Sequence, residues 1–204
     1  MSAVKDGTVF KHQMDAYAIR KNLEWATICV VEFPSRQVDS HKSEKYCVYG
    51  GEILIHSSFG SYGYSWNNLG EPFRRFLVNV DFGYLFSKLK GGDLFIYDGE
   101  KTFQEILQRV LDNRLEKAIC KSAARSLWDA LQDERERIES SIHDLVDVAR
   151  DIQSSYCREW DYSIMRLLNE PWEYAAKKYD GQCEGFWREL WPLFRHELQS
   201  ELAQ

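Results

Sequence analysis

The sequence predicts an α+β fold, with a small antiparallel sheet region in the N-terminal half followed by a helical C-terminal half. Runs rich in Val, Ile and Tyr, some of them alternating apolar and polar residues, occur before residue 100. After residue 100 the apolar residues recur with the helical period. We therefore expect a sheet-containing α/β region over residues 1–100 and a helical region over 101–204, packed as one compact unit.

Composition places the chain among soluble globular proteins. Its 204 residues are 44% hydrophobic and 28% charged, and a chain of this length buries roughly 70% of its unfolded surface. The 26 basic and 32 acidic residues give a net charge of −6, which disfavours a general phosphate-binding role. Residues 1–100 hold 11 basic and 12 acidic residues and the rest hold 15 and 20, so the acidity belongs to the C-terminal half.

The predicted sheet starts with two runs, residues 26–33 and 45–58, joined by a polar, turn-like stretch at 34–44. Gly50-Gly51 predicts a bulge or tight turn that divides the second run into two strands, 45–49 and 52–58. Tyr62, Tyr64 and Trp66 recur at every second position, as one face of a further strand requires.

Two helices and a short strand follow. Pro72 fits the first position of a helix whose apolar residues Phe73, Phe76, Leu77 and Val80 have the helical period. A second helix is predicted over 82–89, and residues 93–97 followed by Asp98-Gly99 predict a short strand with a turn.

The remaining chain predicts helices only. Thr102 and Glu105 form a capping box at the start of a long apolar stripe, which has a break near Ser140-Ser141. Further helices are predicted over 164–168, over 171–179 with Gly181 as terminator, and over 186–202, which Pro192 kinks or starts.

The last predicted helix is apolar over a wide arc. Its apolar residues are Phe186, Trp187, Leu190, Trp191, Phe194, Leu198 and Leu202. Such a helix either packs centrally within the helical half or joins two chains. We expect the intrachain role, and hence a monomer rather than a homodimer.

The sequence contains no motif that by itself names a reaction. The five cysteines include no Cys-x-x-Cys pair and predict free thiols of a cytosolic protein. No P-loop, nucleophile elbow or dinucleotide fingerprint occurs, and the histidines do not have metal-ligand spacing. We therefore expect a protein that is not an enzyme and has no metal or cofactor. The alternative is a small enzyme whose site is assembled from distant residues, with His56, Asp81 and His143 as candidates.

The aromatic residues of the last predicted strand allow two interpretations. Tyr62, Tyr64 and Trp66, with Arg74 and Arg75 close behind, are typical of a base-stacking platform for single-stranded nucleic acid. They equally fit the inner face of a sheet covered by the Phe73/Phe76 helix. The near-neutral charge around them favours the second interpretation, so direct nucleic-acid binding is not expected.

Part of the N-terminal half resembles a known group of proteins. Residues 53–66 run into the stretch Tyr62-Gly63-Tyr64-Ser65-Trp66, and Phe76-Leu77 and residues 81–89 follow. This order of about 40 residues resembles small phage and prophage accessory proteins. The resemblance implies a phage or mobile-element protein acting in the bacterial cytoplasm, and it brings no catalytic residue. By analogy, it suggests an inhibitor of host defence of the anti-CRISPR kind.

The working hypothesis is therefore inhibition by protein contact. The partner is a host protein or ribonucleoprotein complex that handles nucleic acid, and no membrane is involved. The contact is assigned to the acidic helical segment around Asp133, Glu134, Glu136 and Glu139, facing a basic groove. Tyr62, Tyr64 and Trp66 are the second set of candidate partner-binding residues.

Overall fold

The computed structural model describes residue 11 and residues 13–39, 45–156 and 168–204. Contacts divide the chain into two compact units. The first, called the sheet unit, comprises Met1–Leu94 and Tyr179–Gln204, and the second, called the helical unit, comprises Phe95–Lys178. The last 26 residues, whose periodicity assigns them to the helical half, thus group with the sheet instead.

The sheet is a four-stranded antiparallel meander in the order β1-β2-β3-β4. Its strands are β1 (Asp15–Lys21), β2 (Glu24–Asp39), β3 (Lys45–Ser57) and β4 (Gly60–Leu69). This N-terminal antiparallel sheet, followed by a mostly helical C-terminal half, confirms the predicted α+β class.

The strands β2 and β3 are longer than the sequence pattern predicts, and β1 is a strand that the pattern does not predict. β2 continues to Asp39 through the stretch predicted as a turn, with a register shift between Phe33 and Arg36. Pro34 lies at this shift, where the ladder is interrupted and a missing N–H donor is tolerated. The predicted bulge at Gly50-Gly51 is present between β3 and β4, but β3 remains one strand on both sides of it.

In chain order, the helices of the described residues are α1 (Phe73–Asn79), α2 (Phe82–Leu89), α3 (Gly99–Leu115), α4 (Lys121–Asp133), α5 (Arg135–Ser140), α6 (Ile142–Tyr156), α7 (Gly181–Glu189) and α8 (Trp191–Leu202). The described residues also form two 3₁₀ turns, at Gly91–Leu94 and Pro171–Tyr174. Two short strands pair with each other, β5 (Phe95–Tyr97) and β6 (Lys177–Tyr179).

The core of the sheet unit lies on one face of the sheet. Alternate residues of β2 and β3 are buried there, and side chains from α1, α2, α7 and α8 pack against them. The members of this core include Ala26, Ile28, Val30, Ile53, Ile55, Phe73, Leu77, Leu85, Phe86, Phe186, Trp191, Phe194 and Leu198. The C-terminal helix is therefore buried within the chain, but in the sheet unit rather than in the helical half.

The C-terminal helix is also divided. The predicted helix over 186–202 is two helices, because α7 ends at Glu189 and α8 starts at Trp191 with Pro192 in its first turn. A proline in the first turn costs no helical hydrogen bond, so Pro192 starts α8 rather than kinking it.

The helical unit has a separate core. Its buried residues come from α3, α4, α5 and α6 and include Phe103, Ile106, Val110, Leu127, Leu131, Ile138, Leu145 and Val148. The predicted break at Ser140-Ser141 is where α5 ends, and the Ser141 hydroxyl accepts the Asp144 amide at the start of α6.

Two predicted helix ends are wrong, one at Thr102 in the helical unit and one at Gly181 in the sheet unit. Asp98, not Thr102, caps α3, because its carboxylate accepts the Lys101 amide. The buried Thr102 hydroxyl donates to the Asp98 carbonyl and accepts the Ala176 amide instead.

Residues 171–179 form a 3₁₀ turn and β6 rather than a helix, and Gly181 begins α7 rather than ending one. The predicted helix at 164–168 lies outside the described residues except for Leu168.

Candidate binding surfaces

The predicted acidic site belongs to the helical unit. Residues 133–151, called the acidic segment, span the end of α4, all of α5 and most of α6. They contain seven acidic and three basic residues, a net charge of −4. Residues 95–178 as a whole hold 17 acidic and 13 basic residues, also −4, so the acidic segment accounts for the net charge of its unit.

The four predicted acidic site residues differ in their surroundings. Glu134 pairs with Arg137 at 2.8 Å, and Glu139 pairs with Arg135 at 2.7 Å. Asp133 and Glu136 are exposed and have no ion pair with any described residue. Two of the four carboxylates are therefore offset by a neighbouring arginine, whereas the charges of Asp133 and Glu136 are offset by no ion pair with a described residue.

The aromatic candidates lie in the core of the sheet unit. Tyr62 and Trp66 are buried, and the Trp66 ring lies 5.7 Å from the Phe73 ring and 5.3 Å from the Phe76 ring. Tyr64 is half-buried against Trp66, at 4.6 Å between ring centroids. The Tyr62 ring packs instead against Phe86 of α2 and Phe186 of α7. Neither Tyr62 nor Trp66 therefore has a free ring face on which a nucleic-acid base could stack.

The candidates for an enzymatic site belong to both units, with His56 and Asp81 in the sheet unit and His143 in the helical unit. His56 lies exposed on the outer face of the sheet, where its Nδ1 is 2.9 Å from the Ser61 hydroxyl. A shallow depression there is lined by Thr27, Cys29, Leu54, Ile55, His56, Ser61, Tyr62 and Gly63 and does not include Asp81. The Asp81 carboxylate caps α2 by accepting the Tyr84 amide at 2.9 Å. His143 is exposed on α6 in the helical unit.

Neither a metal centre nor a membrane span can be built from the described part of the chain. Among residues 13–39, 45–156 and 168–204, no three His, Cys, Asp or Glu side chains come together as a metal site would require. In the same ranges, no helix has both the length and the apolar character for crossing a bilayer.

A groove that the sequence pattern missed lies between α3 and α4 and is called the basic groove. Its volume is about 300 Å³, and it is lined by Val110, Leu111, Arg114, Lys121, Ala124, Arg125 and Trp128. The available signal is the spacing of Lys121, Arg125 and Trp128, which places all three on one face of a helix. This signal is weak because a cation and an aromatic residue at helical spacing occur on many surface helices.

These features define a two-unit α+β protein whose helical unit presents an acidic segment and a basic groove. The model of a phage protein family matches residues 8–200 of the chain, so the protein belongs to this phage family. No curated protein and no solved structure matches the chain.

Proposed function

We propose that this phage-family protein acts without catalysis, by binding a protein or ribonucleoprotein complex of its bacterial host in the cytoplasm. The proposed target handles nucleic acid, as a defence nuclease or surveillance complex does, and binding inhibits it in the manner of an anti-CRISPR protein. The observation that carries the proposal is the acidic segment, with the exposed and unpaired carboxylates of Asp133 and Glu136.

Charge explains why such a segment suits such a target. A groove that holds nucleic acid is lined with Lys and Arg, and carboxylates on a rigid helical surface compete with phosphates for these cations. Glu134 and Glu139 contribute less, because their charges are offset by Arg137 and Arg135. The proposal therefore assigns the main contact to Asp133 and Glu136.

The test is a double charge reversal, Asp133→Lys with Glu136→Lys. Its matched control is Glu116→Lys with Glu197→Lys, which changes the net charge equally at two exposed carboxylates that pair with no described residue. Each tagged protein is incubated with lysate of a bacterial host, and the retained proteins are identified by mass spectrometry. We expect the wild type and the control to retain the same nucleic-acid-handling protein at moderate salt, and the double variant to lose it.

Two results would count against the proposal. Equal retention by the double variant would show that these carboxylates do not make the contact. A retained protein without a nucleic-acid groove would remove the proposed target class.

The inhibitory role is tested in cells. A bacterium with an active CRISPR system plates a targeted phage poorly, and expression of an inhibitor restores plating. We expect the wild type and the control to restore plating and the double variant not to. Failure of all three proteins against the CRISPR types tested would restrict the target to other nucleic-acid-handling complexes.

A further inference from the structure

The basic groove combines an apolar floor with a cationic rim. Val110 and Ala124 are buried below it, and Leu111 and Trp128 form its exposed and half-exposed parts. Leu111 is 43% exposed, and Leu115, one turn further along α3, is 78% exposed. A leucine stripe on α3 is thus left open to solvent beside the groove, which is typical of a surface that an apolar side chain of a partner covers.

The cations of the rim are available for a ligand. Arg114 and Lys121 have no ion pair with any described residue, whereas Arg125, which also lines the groove, pairs with Asp129 at 3.0 Å. The groove therefore has two unpaired positive charges on opposite helices, with aliphatic surface between them. This arrangement complements a ligand that carries carboxylates on both sides of an apolar side chain.

We propose that the basic groove binds an acidic amphipathic helix of a partner protein. The leucine-type side chains of that helix lie on Leu111, Ala124 and Trp128, and its carboxylates meet Arg114 and Lys121. The inference does not depend on the proposed function, because neither Asp133 nor Glu136 is among the residues that line the basic groove.

A helix is a better fit than nucleic acid. The floor is formed mainly by aliphatic side chains, with a single aromatic ring, Trp128, whereas single-strand sites stack successive bases on several aromatic rings. A groove between two helices also matches the known mode in which an amphipathic helix lays its apolar face between helical ridges.

The probe is a fluorescein-labelled peptide of about 15 residues, long enough to form a helix, with a stripe of leucines flanked on both sides by glutamates. A second peptide has serine in place of every leucine, and a third has lysine in place of every glutamate. Fluorescence anisotropy measures their binding to the full-length protein. We expect both altered peptides to bind at least about tenfold more weakly than the first.

The protein variant is Arg114→Glu with Lys121→Glu, and its control is Arg75→Glu with Lys177→Glu, two exposed cations outside the groove. We expect the first variant to weaken binding of the acidic peptide at least about tenfold and the control to leave it unchanged. Leu111→Ser tests the floor separately and should weaken binding without changing the net charge. Thermal unfolding of each variant checks that the fold is retained.

Three outcomes would overturn the inference. The first is equal binding of the acidic peptide to the wild type and to the Arg114/Lys121 variant. The second is binding of an oligothymidylate, and not of the peptide, that depends on these two cations. The third is self-association of the wild type that the same variant abolishes, which would assign the groove to a second copy of the chain.

Discussion

The Tyr17 hydroxyl donates to the Glu201 carboxylate at 2.9 Å and so joins β1 to α8 across 184 positions of sequence. Arg74 of α1 donates to the same Tyr17 oxygen at 2.6 Å, pairs with Glu32 at 3.0 Å, and also contacts Asp15 and Glu201. A single guanidinium thus links two strands and two helices of the sheet unit. Its side chain is only 17% exposed, so this network is partly shielded from solvent.

Replacement of Arg74 by Met should destabilise the sheet unit. The change leaves three carboxylates close together without their shared counter-charge, but these carboxylates are themselves 36–58% exposed. We therefore expect a loss of about 1–3 kcal/mol, below that of a fully buried pair. Urea unfolding measures it, with Arg75→Met as the exposed control, for which we expect about 0.5 kcal/mol or less. Equal free energies of unfolding for the two variants would show that the Arg74 network does not stabilise the sheet unit.

The same network predicts sensitivity to alkali. Burial, together with donation to Glu201, raises the pKa of Tyr17 to about 12, whereas an unfolded chain has a tyrosine pKa of about 10. The native state therefore holds this proton more tightly, and the resulting stability is complete below about pH 10 and is lost as the pH rises towards 12. Urea unfolding between pH 8 and about pH 11 should show a steeper loss for the wild type than for Tyr17→Phe. If the free energy of unfolding of the wild type and of Tyr17→Phe fell in parallel with pH, the Tyr17 proton would make no contribution to stability.

Trp191 is expected to be a main stabiliser of the sheet unit. Its ring is 1% exposed, stacks on Trp187 at 5.4 Å and contacts Phe194 at 5.1 Å. Trp191→Ala should cost about 3–5 kcal/mol, as do other truncations of large buried aromatics. Trp172→Ala, at a residue 53% exposed, is the control and should cost less than about 1 kcal/mol. Chemical denaturation followed by circular dichroism compares the two.

The same variant tests the expectation of a monomer. Because Trp191 is buried within one chain, its loss should change stability and leave the molar mass unchanged. Light scattering of the wild type should therefore give the mass of a single chain at all concentrations. A wild-type dimer that Trp191→Ala converts to a monomer would reverse this expectation.

The cysteines should differ in reactivity. Contact with the Ser122 hydroxyl at 3.1 Å, and then donation from the Ala123 amide, lower the pKa of the exposed Cys120 thiol. Burial raises the pKa of Cys183, which is enclosed in the core of the sheet unit. Because the thiolate is the nucleophile, iodoacetamide at neutral pH should modify Cys120 first and Cys183 last.

Peptide mass spectrometry after a short exposure to iodoacetamide follows each site. Ser122→Ala should slow the reaction of Cys120 and leave that of the exposed Cys47 unchanged. Modification of Cys183 at the rate of Cys120 in the native protein would contradict the burial of its thiol. Cys157 lies outside the described residues and is followed without an expected rate.

Gly51 should tolerate no side chain. A Cβ at this position would lie 2.1 Å from the Phe73 ring, which is itself buried between β3 and α1. Gly51→Ala must therefore displace Phe73 and should cost about 1–3 kcal/mol. Gly70→Ala is the control, because no atom lies within 4 Å of the added Cβ. Thermal unfolding should separate the two variants, and equal midpoints would contradict this packing.

Local patterns predict much of this fold. The alternation of Tyr62, Tyr64 and Trp66 identifies β4, and the helical period after Pro72 identifies α1, although α1 ends at Asn79 and leaves out the predicted Val80. β1 gives a weaker signal, because only Tyr17 and Ile19 among its residues are large, apolar and packed against the core. Glycine is ambiguous at Gly181, because it occurs at both ends of helices and here it starts one.

Long-range packing could not be predicted in the same way. The apolar arc of α8 shows that the helix is covered, but the sequence does not show whether a sheet or other helices cover it. The acidic segment is recognisable in the sequence as a run of charged residues. The sequence does not show which of its carboxylates form ion pairs, because pairing depends on side-chain geometry. In the structure Glu134 and Glu139 are paired, and Asp133 and Glu136 are not paired with any described residue. The basic groove depends on two helices meeting, and Arg114 and Lys121 lie on different helices.

The division of the sheet unit between the two ends of the chain affects the order in which the protein can fold during synthesis. Residues 95–178 are contiguous, so the helical unit is complete when Lys178 leaves the ribosome. The strands β1–β4 emerge before it, but α7 and α8, which cover their apolar face, emerge last. At 5–20 residues per second, the 110 residues after Leu94 take about 5 to 20 s to translate. During this interval the nascent sheet lacks two of the helices that complete its core, so we expect apolar surface of that core to stay exposed to solvent until α7 and α8 have been made.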